Sequence, residues 1–300
     1  MMQMACPGLP AAWINAWLAA VGATVLDPRI RLQWTTRGTP VAVLSAAEAD
    51  PVTILVESWP DEALLSDLPI AENWKRAGKL QRKVGVEAFA ERARVARGHP
   101  YSWTLSSTMT DLCVDENGEV AHAPFDPAGP GTIKWLHHRL MRIHGHVEPS
   151  PTRIRDSLAG RAVRAKDNGL GFDQTRLGSL ADSTSMWTDP VIEELAFFGL
   201  AVLPVRGQGA DRRLDRSADV RVRQRGWREA RENPRSRGFN WPAWRQPLDS
   251  AGIDALMDVW NPSDKKGVWE RVGVHAAWRS VRFEPRGSAD TTRAFGAERL

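Results

Sequence analysis

The most apolar stretch of the chain, PAAWINAWLAAVGATVL, occupies residues 10–26. Its residues Trp13, Trp17 and Ala20 recur at i, i+4 and i+7, which predicts a helix from about Pro10 to Val25 with this stripe against a core. The stretch is short for a membrane span, is interrupted by a polar residue, and lacks the preceding basic residues of a secretory signal. We therefore expect a buried helix at the start of the fold and no association with a membrane.

The rest of the first half alternates between strand and helix signals. RIRLQW, residues 29–34, has the apolar–polar alternation of a half-buried strand, and VAVL, residues 41–44, predicts a second strand after a turn. Residues 64–97 are mainly helical in character. Residues 101–127 favour β structure, because the Asn117-Gly118 pair supplies the positive φ angles of a tight hairpin. TIKWLHHRLMRIH, residues 132–144, predicts another helix.

The second half begins at a predicted boundary in VEPSPT, residues 147–152, which divides the chain into an N-terminal domain of residues 1–148 and a C-terminal domain of residues 149–300. We expect a helix through Arg164, and then a helix that begins with Asp189 as N-cap and Pro190 at N1. A strand over 201–206 and a helix capped by Asp249 or Ser250 should follow. The chain should close with a strand over 278–284 and a frayed tail. This irregular order predicts an α+β fold, with mixed helices and short antiparallel strands and no regular βαβ series.

Composition sets broad limits on function. Hydrophobic residues make up 42% and charged residues 25% of the 300 residues, as in soluble globular proteins. Cys6 and Cys113 form no disulfide framework, so we expect a reducing, cytoplasmic setting. The net charge of +4 and the pI of about 9.4 permit a phosphate-bearing partner without requiring one.

Motifs of catalysis and metal binding are weak in this sequence. There is no P-loop and no GxSxG elbow, and GLGFD at residues 169–173 lacks the third glycine of a dinucleotide fingerprint. The histidines lack a nearby acidic or cysteine ligand, and the carboxylates around the hairpin lack a suitable lysine. A second acidic group is explained by helix caps and solvated positions. We therefore predict that none of these side chains is catalytic or binds a metal ion, and that the protein uses no cofactor. The three groups are His137, His138, His144 and His146; Asp111, Asp115, Glu116 and Asp126; and Asp182, Asp189, Glu193 and Glu194.

Arginine clustering is the strongest functional signal. Residues 206–237 hold eleven arginines and five acidic residues, and guanidinium groups bind phosphates bidentately and release counterions. If residues 220–225 form a strand, Arg221, Arg223 and Arg225 share one face. A second basic group, made of Arg153, Arg155, Arg161, Arg164 and Lys166, precedes the GLGFD loop and would form a groove if it faced the first. The predicted nucleic-acid-binding residues are Arg206, Arg212, Arg213, Arg216, Arg221, Arg223, Arg225, Arg228, Arg161, Arg164, Lys166 and Arg176.

Aromatic residues follow the arginines and allow two interpretations. Trp227, Phe239, Trp241 and Trp244 can supply stacking faces for unpaired bases. Because Trp241 and Trp244 flank Pro242, residues 239–248 can instead anchor the segment in the core or on a partner. We favour the anchor for residues 239–248.

Several blocks of the chain resemble proteins encoded in type I-G (formerly I-U) CRISPR loci. These blocks are GLPAAWINAWLAAVG at 8–22, SWTLSS at 102–107 with TDL at 110–112, APFDP at 123–127, GLGFD at 169–173, LAFFGLAVLPVR at 195–206 and WPAWRQPL at 241–248. The resemblance implies a subunit of the RNA-guided surveillance complex (Cascade) in antiviral defence, at the large-subunit position. It implies CRISPR RNA, target DNA, other Cascade subunits and a recruited helicase–nuclease as partners. It transfers no residue role, so the arginines rest on their clustering alone.

The sequence therefore predicts a non-catalytic, nucleic-acid-binding subunit of a type I CRISPR effector complex, not an enzyme. Two alternatives remain. One is a metal-dependent nuclease or CRISPR RNA-processing enzyme that uses the histidines or the hairpin carboxylates. The other is a structural partner that makes no nucleic-acid contact.

Overall fold

The structure, a computed structural model, describes most of the chain. The residues outside the description are 70–74, 77–78, 81–82, 108, 115–117, 123–131, 168, 171–186, 204, 208–221, 225–226, 230–236 and 284–293.

Helices and short strands alternate irregularly along the described residues. The helices are α1 (Ile14–Leu26), α2 (Pro51–Glu57), α3 (Glu62–Ser66), α4 (Val86–Ala96), α5 (Trp103–Ser106), α6 (Thr132–His144), α7 (Pro151–Leu158), α8 (Pro190–Gly199), a 3₁₀ turn (Leu200–Val202), α9 (Ser250–Val259) and α10 (Lys266–Arg271). The strands are β1 (Met2–Pro10), β2 (Arg31–Trp34), β3 (Val41–Ala46), β4 (Lys75–Arg76), β5 (Lys79–Leu80), β6 (Lys83–Gly85), β7 (Met109–Val114), β8 (Glu119–His122), β9 (Val205–Gly207), β10 (Val222–Gln224), β11 (Trp227–Glu229), β12 (Arg237–Trp244), β13 (Val274–Phe283) and β14 (Ala294–Arg299).

All strand pairings of the described residues are antiparallel, in small sheets ordered β1-β3-β2, β4-β5, β6-β8-β7, β9-β10 and β11-β12-β13-β14. The predicted α+β class with short antiparallel strands is confirmed. No helix in the described part of the chain is both long and apolar enough to cross a membrane.

The helix α1 lies at the centre of the fold. Its residues from Ile14 to Thr24 are buried on every side of the helix, because it packs against both the β1-β3-β2 sheet and α8. The predicted helix is therefore confirmed, but the expected stripe is wrong at one end. Trp13 precedes the helix as its N-cap and is 38% exposed, whereas Trp17 and Ala20 are fully buried.

Two glycines allow α1 and α8 to approach each other closely. A Cβ atom at Gly22 would lie 1.8 Å from the carbonyl oxygen of Leu195, and a Cβ atom at Gly199 would lie 2.2 Å from the carbonyl oxygen of Leu18. No side chain larger than hydrogen fits at either contact without moving backbone. The pair of glycines therefore sets the distance between the two helices.

An aromatic cluster joins α1 to strands from both ends of the chain. The ring of Trp17 packs edge-on against Phe239 at 6.3 Å and against Trp244 at 6.4 Å, and Trp244 packs edge-on against Trp34 at 6.1 Å between ring centres. Such edge-to-face pairs add stability beyond the area that they bury. The indole Nε1 of Trp17 also donates a hydrogen bond of 2.8 Å to the carbonyl oxygen of Pro242.

The largest buried cluster contains residues from both sides of the predicted boundary. It includes Cys6, Leu44 and Leu140 from the first half together with Leu195 and Trp278 from the second. Both predicted domains therefore contribute residues to one buried core. The division at residue 148 stays a prediction.

Two expectations for the first half are wrong in detail. The chain opens with a strand, β1, which pairs with β3 ahead of the predicted helix. The region 64–97 is not mainly helical, because the helices α3 and α4 are separated by the short strands β4, β5 and β6.

Other boundaries also move. Residues 103–106 of the predicted β region form the short helix α5, the helix expected to reach Arg164 ends at Leu158, and residues 200–202 of the predicted strand form a 3₁₀ turn. The tail expected to fray contains β14, which pairs with β13 from Trp278 to Phe283.

Local signals gave correct predictions elsewhere. The Asp189 carboxylate caps α8 by accepting a hydrogen bond from the Val191 backbone N–H, with Pro190 in the first turn. Asp249 caps α9 in the same way through Gly252. The hairpin is confirmed as the antiparallel pair β7 and β8, with Gly118 at φ +73°.

Candidate nucleic-acid interface

The arginine-rich segment is attached to the core at both of its ends. Leu203, which precedes it, and Phe239, which follows it, are both fully buried. Between them β9 pairs with β10, and β11 pairs with β12, the strand that carries Phe239 into the core. The segment therefore leaves the core and returns to it through antiparallel strand pairs.

Three predicted phosphate-contacting residues lie on these strands, for which the backbone is described. Arg206 on β9 is the register partner of Arg223 on β10, and Arg228 on β11 is the register partner of Gly238 on β12. The strand expected over residues 220–225 is described for Val222–Gln224. The prediction that Arg221, Arg223 and Arg225 share one face of this strand therefore stays a prediction. The predicted binding residues that lie outside the described residues are Arg176, Arg212, Arg213, Arg216, Arg221 and Arg225.

The pairing of Arg206 with Arg223 has an electrostatic consequence. Directly opposed residues of an antiparallel pair have Cα atoms about 4.5–5.5 Å apart, and arginine is charged at any physiological pH. Like charges in this relation destabilise a strand pair. The backbone register of these two arginines therefore makes the strand pair a candidate contact for an anionic partner.

The second basic group lies on an exposed segment after α7. The chain turns at Gly160, which has φ +74°, and continues through the exposed residues Arg161, Arg164 and Lys166. The turn packs against β1 so closely that a Cβ atom at Gly8 would lie 2.5 Å from the Gly160 nitrogen. The segment is therefore held against the body of the protein.

Acidic residues already neutralise part of this group. Arg161 pairs with Asp156 at 3.0 Å, and both side chains are largely exposed. An exposed ion pair is worth about 0–1 kcal/mol, so a polyanion can compete for the guanidinium. Arg155 pairs with Asp50 in the same way.

The two basic groups lie at opposite ends of α8. Ala165 of the second group forms two backbone hydrogen bonds with Thr188, just before α8 begins, whereas β9 follows the 3₁₀ turn beyond its other end. Ten helical residues span about 15 Å. The expectation that the two groups face each other across a groove stays a prediction, because most of the first group lies outside the described residues.

The aromatic residues that follow the arginines are buried. Phe239, Trp241 and Trp244 are fully buried. The indole Nε1 of Trp241 donates a hydrogen bond of 2.7 Å to the Ala11 carbonyl, and that of Trp244 donates one of 3.0 Å to the Leu32 carbonyl. These three rings are not available for base stacking, and the predicted anchor in the core is confirmed. A stacking role for Trp227 stays a prediction.

The histidines of α6 take the structural or exposed positions that were expected. His137 is buried, with Nε2 3.1 Å from the Leu65 carbonyl oxygen, and His144 lies with Nδ1 3.1 Å from a carboxylate oxygen of Glu194. His138 and His146 are exposed. Within the described residues no three His, Cys, Asp or Glu side chains are grouped so that they can hold a metal ion.

Two acidic residues of α8 are not solvated, contrary to expectation. Glu193 and Glu194 are both fully buried. Glu193 accepts a hydrogen bond of 2.6 Å from the Leu170 backbone N–H, at the start of the GLGFD loop. Burial raises the pKa of Glu194, while its contact raises the pKa of the His144 imidazole. These carboxylates hold a loop and a helix in place from the inside of the protein.

One exposed aromatic residue of the second basic group was missed. Trp187 is 54% exposed, and its carbonyl oxygen lies 3.5 Å from Nη1 of Arg164. The available signal was its position two residues before the Asp189 cap, since a large apolar side chain directly outside a helix has no place on the helix's buried face.

No family model matches this chain, and no match was found among curated proteins or among solved structures.

Proposed function

We propose that this chain is a non-catalytic, nucleic-acid-binding subunit of a type I CRISPR RNA-guided effector complex, active in antiviral defence in the cytoplasm. The observation that carries the proposal is the register pairing of Arg206 with Arg223 within a segment rich in arginine. Guanidinium groups bind phosphates bidentately, and a run of arginines binds a polyanion through counterion release.

In this function the chain contributes affinity, and base pairing between guide and target supplies the sequence specificity. Its partners are CRISPR RNA and target DNA, the other Cascade subunits and the helicase–nuclease that the complex recruits. The attachment of the arginine-rich segment through Leu203 and Phe239 supports this division of roles, because the core stays intact while the segment contacts nucleic acid.

The salt dependence of binding tests the proposal. The double variant Arg206→Glu/Arg223→Glu is compared with wild type for binding of a labelled single-stranded oligonucleotide over a range of salt concentrations. We expect weaker binding and a slope of log K against log salt that is shallower by about 1.4, since two phosphate contacts to a single strand are lost. Equal affinity and slope in both proteins would contradict the proposal and favour a purely structural partner.

A matched control separates this effect from net charge. The double variant Arg94→Glu/Arg97→Glu makes the same change in net charge at exposed positions at the end of α4. It should retain the wild-type salt slope.

A cleavage assay tests the alternative of a nuclease or RNA-processing enzyme. Guide precursor and single-stranded DNA are incubated with the protein and Mg²⁺ or Mn²⁺. We expect no cutting. Metal-dependent cutting that is lost in Asp111→Ala or His138→Ala would replace the proposed function with the enzymatic one.

A further inference from the structure

The exposed tryptophan Trp187 is the starting observation. Among the tryptophans whose side chains the structure describes, Trp13 and Trp187 are the exposed ones, with 38% and 54% of their surface accessible. Both lie close to Arg164, which lines a small cleft together with Trp13 and bonds the carbonyl of Trp187. An exposed tryptophan beside cations has the composition of a site where a base stacks and a phosphate is neutralised.

The backbone places two cations beside this ring. Ala165 and Thr188 form an antiparallel bridge with hydrogen bonds of 2.8 and 2.9 Å. In that register Lys166 lies opposite Trp187, and both residues are exposed whereas Thr188 is 3% exposed. Side chains alternate between the two faces of a strand. Arg164 and Lys166, on either side of Ala165, are therefore exposed cations on the segment that lies beside Trp187.

The two cations both lie on the segment next to Trp187. In the bridge register Arg164 is opposite Asp189, and Lys166 lies in a tight turn closed by a hydrogen bond of 3.0 Å from the Asp167 N–H to the Ala165 carbonyl. A base that stacked on Trp187 would have these exposed cations within the same small surface, where they could contact its phosphates.

The local charge also favours a polyanion over a protein partner. The exposed segment from Arg161 to Lys166 carries three cations in six residues. The nearest carboxylate of α8, Asp189, turns inward, where it accepts hydrogen bonds from Ser157 Oγ at 3.0 Å and from the Val191 N–H at 3.1 Å. Tryptophan and arginine are also enriched at protein–protein interfaces, whereas lysine is depleted there, so Lys166 is the residue that favours a polyanion.

We propose that Trp187 is a stacking platform for an unpaired base of single-stranded nucleic acid, with Arg164 and Lys166 contacting the phosphates on either side of that base. This site deepens the proposed function and rests on it. Stacking on an aromatic ring tolerates every base, because each has a π-face. The site therefore binds single strands without reading their sequence.

Fluorescence anisotropy with two labelled probes tests the site. One probe is an oligothymidylate, and the other is an abasic oligonucleotide of the same length and charge. We expect Trp187→Ala to bind the oligothymidylate about tenfold more weakly than wild type. It should bind the abasic probe as wild type does, and Trp187→Phe should recover most of the affinity because it restores an aromatic face.

Control variants exclude general effects. Val259→Ala removes another exposed apolar side chain, on α9, and should leave binding of both probes unchanged. Far-ultraviolet circular dichroism of each variant checks that the fold is retained, which is expected because Trp187 is more than half exposed.

Each other outcome has a distinct meaning. Wild-type affinity of Trp187→Ala for both probes would overturn the stacking site and leave the proposed function standing. Equal loss on both probes would overturn stacking and assign the residue to the shape of the basic segment. Wild-type affinity combined with loss of co-purifying Cascade subunits would make the surface a protein interface. If wild type bound neither probe, the proposed function itself would fail.

Discussion

Gly22 of α1 lies against Leu195 of α8 so closely that a Cβ atom at position 22 would come within 1.8 Å of the Leu195 carbonyl oxygen. Such a distance is far below van der Waals contact, so the atom could be accommodated only if the two helices moved apart. The central helix pair therefore depends on the absence of a single carbon atom.

The variant Gly22→Ala should destabilise the protein. Overpacking a well-packed core costs about 1–3 kcal/mol, which exceeds the gain of about 1 kcal/mol in helix propensity. Chemical denaturation should show a lower free energy of unfolding and a lower midpoint. The matched control is Gly267→Ala in α10, where an added Cβ meets no atom within 4 Å. That variant should be unchanged or more stable by about 0.5 kcal/mol, and equal losses in both variants would argue against the close contact.

The contact between His144 and Glu194 should make stability depend on pH. The pKa of His144 is raised chiefly by its hydrogen bond to Glu194, and the pKa of Glu194 is raised by burial. The His144 imidazole therefore binds its proton more tightly in the folded state than in the unfolded state, because the Glu194 carboxylate faces it. Stability that is present at low pH is lost as the pH rises above the ordinary histidine value of 6.5. Urea unfolding between pH 6 and pH 9 should show this decline.

The variant His144→Gln should lose most of this decline. It should also lower the free energy of unfolding at pH 6 by about 3 kcal/mol, because a buried carboxylate is left without its cationic partner. The double variant His144→Gln/Glu194→Gln should recover part of that loss. His138→Gln, at an exposed position of the same helix, serves as the control. Parallel stability curves for wild type and His144→Gln would show that the pair does not titrate.

The variant Trp241→Phe should lower stability without altering nucleic-acid affinity. It removes the 2.7 Å hydrogen bond from Nε1 to the Ala11 carbonyl and leaves that carbonyl buried, at a cost of about 1–3 kcal/mol. The control is Trp260→Phe, because the buried Nε1 of Trp260 has no hydrogen-bond partner among the described residues. We expect a smaller loss there. A fall in oligonucleotide affinity of folded Trp241→Phe would show that this ring contacts nucleic acid.

The thiol of Cys6 should be unreactive in the folded protein. It is fully buried, and burial raises its pKa to about 12, so almost none of it is thiolate near neutral pH. In a Cys113→Ser background, alkylation by iodoacetamide should be slow in buffer and fast in denaturing urea. Rapid labelling in buffer would mean that β1 separates readily from β3.

Features encoded by neighbouring residues were predictable from the sequence. The Asp189 and Asp249 caps are examples, since each carboxylate bonds a backbone N–H two or three residues ahead. The helix α1 and the hairpin of β7 and β8 were found from periodicity and turn residues. In the candidate site, the two tryptophans that flank Pro242 correctly predicted an anchor in the core, which the structure shows for residues 239–244.

Features that depend on distant partners were not predictable. The strand β1 contains Pro7 and Gly8, which are unfavourable inside a strand. It forms because it pairs with β3, which lies some 35 residues later in the chain. β14 likewise exists because β13 pairs with it. The burial of Glu193 and Glu194 follows from the packing of α8 between α1 and α6, which no local pattern around these residues reveals.

The two attachments of the arginine-rich segment, at Leu203 and Phe239, bear on how such a protein can diverge. A loop closed between two fixed points loses chain entropy only logarithmically with its length, about 0.6 kcal/mol for each doubling. Residues can therefore be inserted, deleted or exchanged between these anchors with little effect on the stability of the core. The arginine-rich segment could therefore be exchanged between related proteins. Grafting it between the same two anchors in a related chain would transfer its charge pattern, while the recipient kept its own core.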